Sequence, residues 1–276
     1  KGKQQITLAG TFHLPDARHQ ALLDELAPEV AKATVLMVEA GPEEEARLKT
    51  ASQSDPMMIF DPDGPTLPDL LREEDWRMLR DQLAARNIPS FLAAKMKPAM
   101  VAMMIALPPC ALPAKPDAEN AALTGGLDHL LIAEAERRSL PIVALEPWDT
   151  VFSLFDKIPQ AEITVMLEMA IEGAQRGDDV VATMSNLYFS RRPRLIEGFA
   201  RLDALHSGFT AEQVDRQTTL THDLLEIPRN RDWLPKIEAQ AAKGPVLVAV
   251  GAAHLSGKQG LLALLEADGW VISRLD

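Results

Sequence analysis

Val246-Leu247-Val248-Ala249-Val250-Gly251-Ala252-Ala253-His254 is the stretch on which the fold turns. Its first five residues are apolar and rich in valine, and a glycine ends the run, which is how a short buried strand reads. A histidine follows three positions after that glycine. Three further runs share this character: Gln5-Ile6-Thr7-Leu8-Ala9, Val35-Leu36-Met37-Val38-Glu39 and Pro141-Ile142-Val143-Ala144-Leu145-Glu146. Trp270-Val271-Ile272-Ser273-Arg274-Leu275 reads as a closing strand. Helical spacing fills the intervals. Arg18 to Ala33 carries Leu22, Leu23, Leu26 and Val30, Asp128 to Ser139 carries Leu130, Leu131 and Ala135, and Gly260 to Ala267 carries Leu261, Leu262, Leu264 and Leu265. Alternation of strand and helix predicts an α/β fold with a mostly parallel central sheet flanked by helices.

Two long stretches carry helical patterns without strands. One runs from Leu67 to Leu107 and contains Trp76, Leu79 and Leu83, then Met96, Met100, Met103 and Met104; the other runs from Asp149 to about Ala242. Both are expected to be helical insertions forming a cap over the C-terminal edge of the strands. The methionines read as adaptable core or groove lining rather than as a metal box. The expected organisation is a single domain over residues 1–276, with an α/β core at about 1–50, 125–150 and 243–276 and insertions at about 66–107 and 150–242. Ser52 to Pro65 and Pro108 to Pro116 read as loops.

Composition narrows the function classes. A formal net charge of −12 argues against a general nucleic-acid binder, because phosphate contacts need clustered lysine and arginine. The single cysteine, Cys110, excludes an internal disulfide and has no partner for a Cys-based zinc site. The longest uncharged stretch, Pro98 to Ala114, is interrupted by three prolines and falls short of the roughly 20 residues of a membrane helix. No signal peptide is visible before the first strand, although the chain could be a mature or trimmed form.

Chemistry gathers at the predicted strand ends. Gly10-Thr11-Phe12-His13 follows the first strand and Gly251-Ala252-Ala253-His254 the fourth, while Glu39 and Glu146 end the second and third. The Gly-x-x-His pattern is weak by itself, since Gly126-Leu127-Asp128-His129 also fits it at a loop-to-helix junction. In a parallel sheet, however, every strand C-terminus lies at one edge, where open α/β folds bind ligands. Two imidazoles with one or two carboxylates suit a divalent first-row metal with a place left for water, and a remaining carboxylate suits a general base. The bland reading is that a histidine after a strand is a satisfied turn residue and a glutamate there is solvated or a cap. Asp128 sits at or near a helix N-terminus, where capping competes with a ligand role. Pro228-Arg229-Asn230-Arg231-Asp232-Trp233 opens a helix, and its arginine suits a carboxylate or a developing oxyanion. His19, His129, His206 and His222 read as structural or solvent-facing.

These motifs, in this order, resemble the TraB/GumN family. Gly10 to Pro15 is similar to its first Gly-x-x-His signature, Val38-Glu39 to its strand-ending glutamate, and Asp63-Gly64-Pro65-Thr66-Leu67 to the opening of its helical region. Gly126-Leu127-Asp128 resembles its Gly-x-Asp helix start, Leu145-Glu146 the following glutamate, Arg229-Asn230 with Trp233 and Ile237 its Arg-Asn helix, and Val248 to Leu255 its second Gly-x-x-His signature. The resemblance implies an α/β core shared with erythromycin-esterase and ChaN-like proteins and relatives among the TIKI metalloproteases. It implies His13, Glu39 and His254 at a metal, catalytic roles for Glu39, Glu146 and Arg229, and substrate contacts by Asp128 and Asn230. It also implies more chain before the first signature and a periplasmic or secreted location.

The resulting expectation is a hydrolase, peptidase-like, dependent on a divalent ion (Mn, Co or Zn). Its partners would be a peptide or small-molecule substrate, with no nucleic acid and no integral membrane segment, and a homo-oligomer stays open. Two alternatives stand beside it. One is a non-catalytic protein that binds a peptide, haem or another small ligand, for which the methionine-lined helices would suit an apolar guest. The other is a metal-independent esterase with histidine as base.

Overall fold

Successive residues of a strand face opposite ways, and in the two central strands both faces are apolar, so both must be covered. The structure, a computed structural model, describes residues 1–109 and 125–275. Cys110 and most of the proline-rich segment Pro108 to Pro116 lie outside the described residues. Four parallel strands form the sheet: β1 (Ile6–Thr11), β2 (Val35–Val38), β3 (Ile142–Ala144) and β4 (Val246–Gly251), in the order β1-β4-β2-β3. The helices that cover it are α1 (His19–Lys32), α2 (Leu127–Arg137), α3 (Ile227–Ala241) and α4 (Leu261–Ala267).

Val35, Met37, Val246, Val248 and Val250 point to one face and pack with Trp233, Ile237 and Ala241 of α3 and Leu261 and Leu265 of α4. Leu36, Val38, Leu247 and Ala249 point to the other and pack with Val30 of α1 and Leu127, Leu131 and Ala135 of α2. Each buried Val, Leu, Ile or Met contributes about 1.5–3 kcal/mol. Handedness explains the division of helices. From β1 to β2 to β3 the chain steps across the sheet in one direction, with α1 and α2 on one face; from β3 to β4 it steps back, and a right-handed crossover then places α3 on the opposite face. β4 therefore lies between two strands whose chains leave toward the face opposite to its own exit. That arrangement opens a crevice at the strand C-termini.

Trp270 to Leu275 is not a strand. The Trp270 amide donates to the Leu265 carbonyl (3.0 Å) and its indole Nε1 to Glu238 Oε1 (2.8 Å), so the chain closes α4 and docks on α3 instead of reaching the sheet edge. Val271, Ile272 and Leu275 are left exposed. Only Trp270, of this apolar segment, belongs to the core.

By contacts the chain forms two compact units. The first, Lys1–Arg47, Ala114–Thr150 and Thr221–Asp276, carries the sheet. It includes α3, which lies in a stretch the sequence reads as helical insertion but which packs its Trp233 and Ile237 on the sheet. The second, Leu48–Pro113 and Val151–Leu220, is built from helices around Leu79, Leu83, Val101, Ile105, Leu167 and Ile171. Met96 is buried in that core, Met100 packs against it, and Met104 is exposed. Among the described residues no helix is long and apolar enough to cross a membrane.

Candidate functional site

The parallel register brings the strand ends level. Thr11 of β1 pairs with Gly251 of β4, and Val38 of β2 pairs with both Ala249 and Ala144. Beyond the last pairs the ladder continues, with Leu145 N–H donating to the Val38 carbonyl (2.8 Å) and Glu146 N–H to the Glu39 carbonyl (3.3 Å). Glu39, Glu146, His13 and His254 consequently leave the sheet at one rim. The chain gives them a common centre at Gly251. The point a Cβ would occupy there lies 3.3 Å from Glu39 Oε1, 3.6 Å from His13 Nε2 and 3.7 Å from His254 Cδ2. A glycine keeps that cradle open.

Arg229 of α3 holds the acids together. Its Nε and Nη2 donate to the two oxygens of Glu146 at 2.8 and 2.7 Å, a bidentate pair, and Nη2 also donates to Glu39 Oε2 at 2.6 Å. Nη1 donates to the Leu225 carbonyl at 3.1 Å and to His254 Nε2 at 3.2 Å. Trp233, one turn on, lies beneath the guanidinium (4.8 Å to the ring centroid) and donates its indole N–H to Glu146 Oε2 at 3.2 Å. Lys236, on the same helix, donates to the Leu145 carbonyl. Two carboxylates this close resist joint ionisation unless a cation lies between them. Burial works to raise the Glu39 pKa, yet the charges of Arg229 and His13 and the Gly251 N–H (2.7 Å) hold it below the usual carboxylate range. Glu39 is an anion here.

His254 is buried and neutral. Asn230 Nδ2 donates to the Gln259 carbonyl (2.9 Å), which fixes the amide so that its Oδ1 accepts from His254 Nδ1 at 2.7 Å. The proton is thus on Nδ1, and Nε2 keeps a lone pair toward the site. Burial, and then the positive charges of Arg229 and His13, push its pKa down to about 4 against the opposing charge of Glu39. Between pH 6.5 and 4 the unfolded chain therefore binds a proton at His254 that the folded chain refuses. Stability from this group is present above that window and lost as pH falls through it, by on the order of 3 kcal/mol. Urea melts at pH 7 and pH 4.5 should show a smaller acid loss for His254→Gln than for the wild type; equal losses would contradict the assignment.

His13 is exposed, with 59% of its side chain accessible, and its Nδ1 lies 3.2 Å from Asp128 Oδ1. That contact raises its pKa, burial opposes, and the charges of Asp128 and Glu39 add to the rise. The other Asp128 oxygen lies 3.0 Å from His129 Nδ1, and His129 Nε2 lies 3.4 Å from Glu45 Oε1. Asp128 and then Glu45, against the effect of burial, raise the His129 pKa to about 10, so this ring is an imidazolium. Burial works against ionised Asp128, but its two imidazole partners outweigh it and keep its pKa low. The helix cap at α2 is Gly126, without a side-chain cap bond, so Asp128 serves the histidines rather than the helix end.

The third Gly-x-x-His, set aside at the sequence level, therefore belongs to the site. A Cβ on Gly126 would stand 2.0 Å from the Phe12 carbonyl oxygen and 2.5 Å from His13 Cα, so the start of α2 presses directly on the His13 loop. Gly126→Ala is expected to cost about 1–3 kcal/mol of overpacking and to displace His13. A Tm equal to wild type would contradict this contact.

The structure thus brings together His13, Glu39, Glu146, Arg229 and His254, with Asp128 behind His13 and Asn230 behind His254. Sequence reasoning missed His129, Glu45 and the Gly251 N–H. The paired Gly125-Gly126 ahead of Asp128-His129 was the signal that could have found the first of these.

The donor chemistry fits a divalent first-row metal. His254 has Nδ1 hydrogen-bonded to the Asn230 oxygen, His13 has Nδ1 beside the Asp128 carboxylate with Nε2 toward the cradle, and the Glu39 carboxylate completes the set. The cradle at Gly251 is bounded by the same three side chains. As the side chains stand, no group of three or more His, Cys, Asp or Glu among the described residues is set to hold an ion. Arg229 is hydrogen-bonded to Glu39 Oε2 and His254 Nε2 in this arrangement.

A parallel α/β sheet whose C-terminal rim gathers two histidines and two glutamates around one buried arginine defines a polar site-bearing α/β protein. The chain belongs to the TraB/PrgY/gumN family, whose model matches residues 1–274. Among curated proteins and solved structures, none matches it.

Proposed function

We propose that the protein is a hydrolase of peptide-type acyl bonds that works at the Gly251 cradle with a divalent metal (Mn, Co or Zn) as its cofactor. The observation that carries this reading is the meeting of His13 Nε2, Glu39 Oε1 and His254 around one open point at the sheet rim. His13, Glu39 and His254 would hold the ion. When bound, it would supply Lewis-acid polarisation of a carbonyl and make a nearby water acidic enough to attack at neutral pH.

The chain's own groups supply the rest. The Asp128 carboxylate lies beside Nδ1 of the His13 ring, and Asn230 fixes His254 through a hydrogen bond to its Nδ1. Glu39, held ionised, is placed to accept a proton from a water lodged in the cradle, and that proton passes to the leaving amine as the C–N bond breaks. Arg229, anchored on Glu146 and Trp233, offers a fixed positive charge to the oxygen on which negative charge develops.

A metal-independent version has its own support in the His13–Asp128 contact, which suits an imidazole acting as base. One experiment separates the readings. Purified protein is given a peptide mixture with added MnCl2 or with a chelator, and cleavage is followed by mass spectrometry for wild type and for His254→Ala. Cleavage that needs the ion and His254 supports the proposal. Cleavage that survives chelation favours the metal-independent version, and cleavage indifferent to both changes ends the assignment to this site.

A further inference from the structure

We infer that Arg229 is a resident cation that stands in for the metal at Glu39 and His254, and that it must leave both residues when an ion binds while keeping its hold on Glu146. The inference rests on the metal-dependent reading above.

The guanidinium divides its bonds unequally. Nε and Nη2 form the bidentate pair with Glu146, whose carboxylate also accepts from Trp233 and is buried, with 8% of the side chain accessible. Of the remaining contacts, one goes to the Leu225 carbonyl and the other two to Glu39 Oε2 and His254 Nε2. His254 Nε2 is an atom an ion would take, and its one lone pair, already accepting a hydrogen bond, is not free to ligate, while Glu39 turns Oε1 to the cradle with Oε2 held by Arg229. The arginine and the ion therefore exclude each other at His254 Nε2 and compete as like charges for the Glu39 carboxylate.

The arrangement answers a problem of the metal-free protein. Glu39 and Glu146 are largely withdrawn from water, and Arg229 is the cation that lies between them. Arg229 neutralises them and keeps the rim in shape. On loading, the ion takes over at Glu39, and Arg229, retained by Glu146 and stacked on Trp233, stays beside the site with a free nitrogen edge. Competition with two charge-assisted hydrogen bonds weakens the ion's apparent affinity by about tenfold to hundredfold.

The test is calorimetric titration of MnCl2 into metal-free wild type, Arg229→Met and Arg229→Lys. The expected result is binding at least about tenfold tighter in Arg229→Met, with Arg229→Lys between, because an ammonium cannot bridge Glu146, Glu39 and His254 together. Should Arg229→Met fail to fold, the wild type still decides through arginine side-chain nitrogen resonances during Zn2+ addition. There the Nη signals of Arg229 should shift by saturation as its bonds to His254 and Glu39 are given up, while its Nε signal, held on Glu146, persists. Unchanged Nη signals at saturation, or ion binding by the folded methionine variant no tighter than wild type, overturns the inference and leaves the metal reading standing. Absence of ion binding in wild type and variant alike overturns both.

Discussion

Replacing Arg229 with methionine will lower the stability of the metal-free protein by about 3–5 kcal/mol, as expected when one partner of a buried ion network is removed and its charges are left unpaired. Arg229 has 10% of its side chain accessible, Glu146 8% and Glu39 19%, so water cannot compensate the two stranded carboxylates. Methionine fills similar volume, which isolates charge from packing. Adding Glu39→Gln and Glu146→Gln to the same variant should restore much of the loss, because neutral amides leave no buried charge behind. Denaturant melts at neutral pH provide the check. A single-variant loss below about 1 kcal/mol, within the range of an exposed pair, would mean that Arg229 does not organise the rim.

His13→Ala is expected to act in the opposite sense, leaving the fold intact and abolishing turnover. The ring is mostly exposed, so stability should change by no more than about 0.5 kcal/mol. Loss of one of the three side chains proposed to hold the ion should cost about 10²-fold or more in rate. Asp128→Asn should lose part of the same activity, since an amide oxygen orients the ring without the carboxylate's charge. Melting curves and peptide-cleavage rates on the same preparations give both quantities. Full activity in His13→Ala would remove the exposed histidine from the mechanism.

Much of this was legible in the sequence because punctuation and chemistry coincided. Each apolar run stopped at a glycine or a glutamate, and parallel pairing then fixed where Glu39, Glu146, His13 and His254 had to emerge. Period-two apolar patterning does not tell a docked tail from a strand, which is why Trp270 to Leu275 read as one. Helical periodicity likewise reveals a helix's apolar face but not what that face covers. Ile227–Ala241 could therefore be recognised as helical while its packing against β2 and β4 stayed hidden. The His129 role was obscured by a different cause. Gly126 to His129 lies before a helix instead of after a strand, and only the close approach of Gly126 to Phe12 and His13 shows that this third motif completes the first. The engagement of Arg229 with both acids and His254 depends on distances between residues more than eighty positions apart in three of its bonds, which no local pattern encodes.

The most direct measurement is anomalous scattering from crystals grown with Mn2+. The expected map has one strong peak bounded by His13 Nε2, the Glu39 carboxylate and His254 Nε2, with the guanidinium of Arg229 withdrawn from Glu39 but still paired with Glu146. A peak held by other residues, with Glu39 and His254 still bound to Arg229 at saturating ion, would contradict the account.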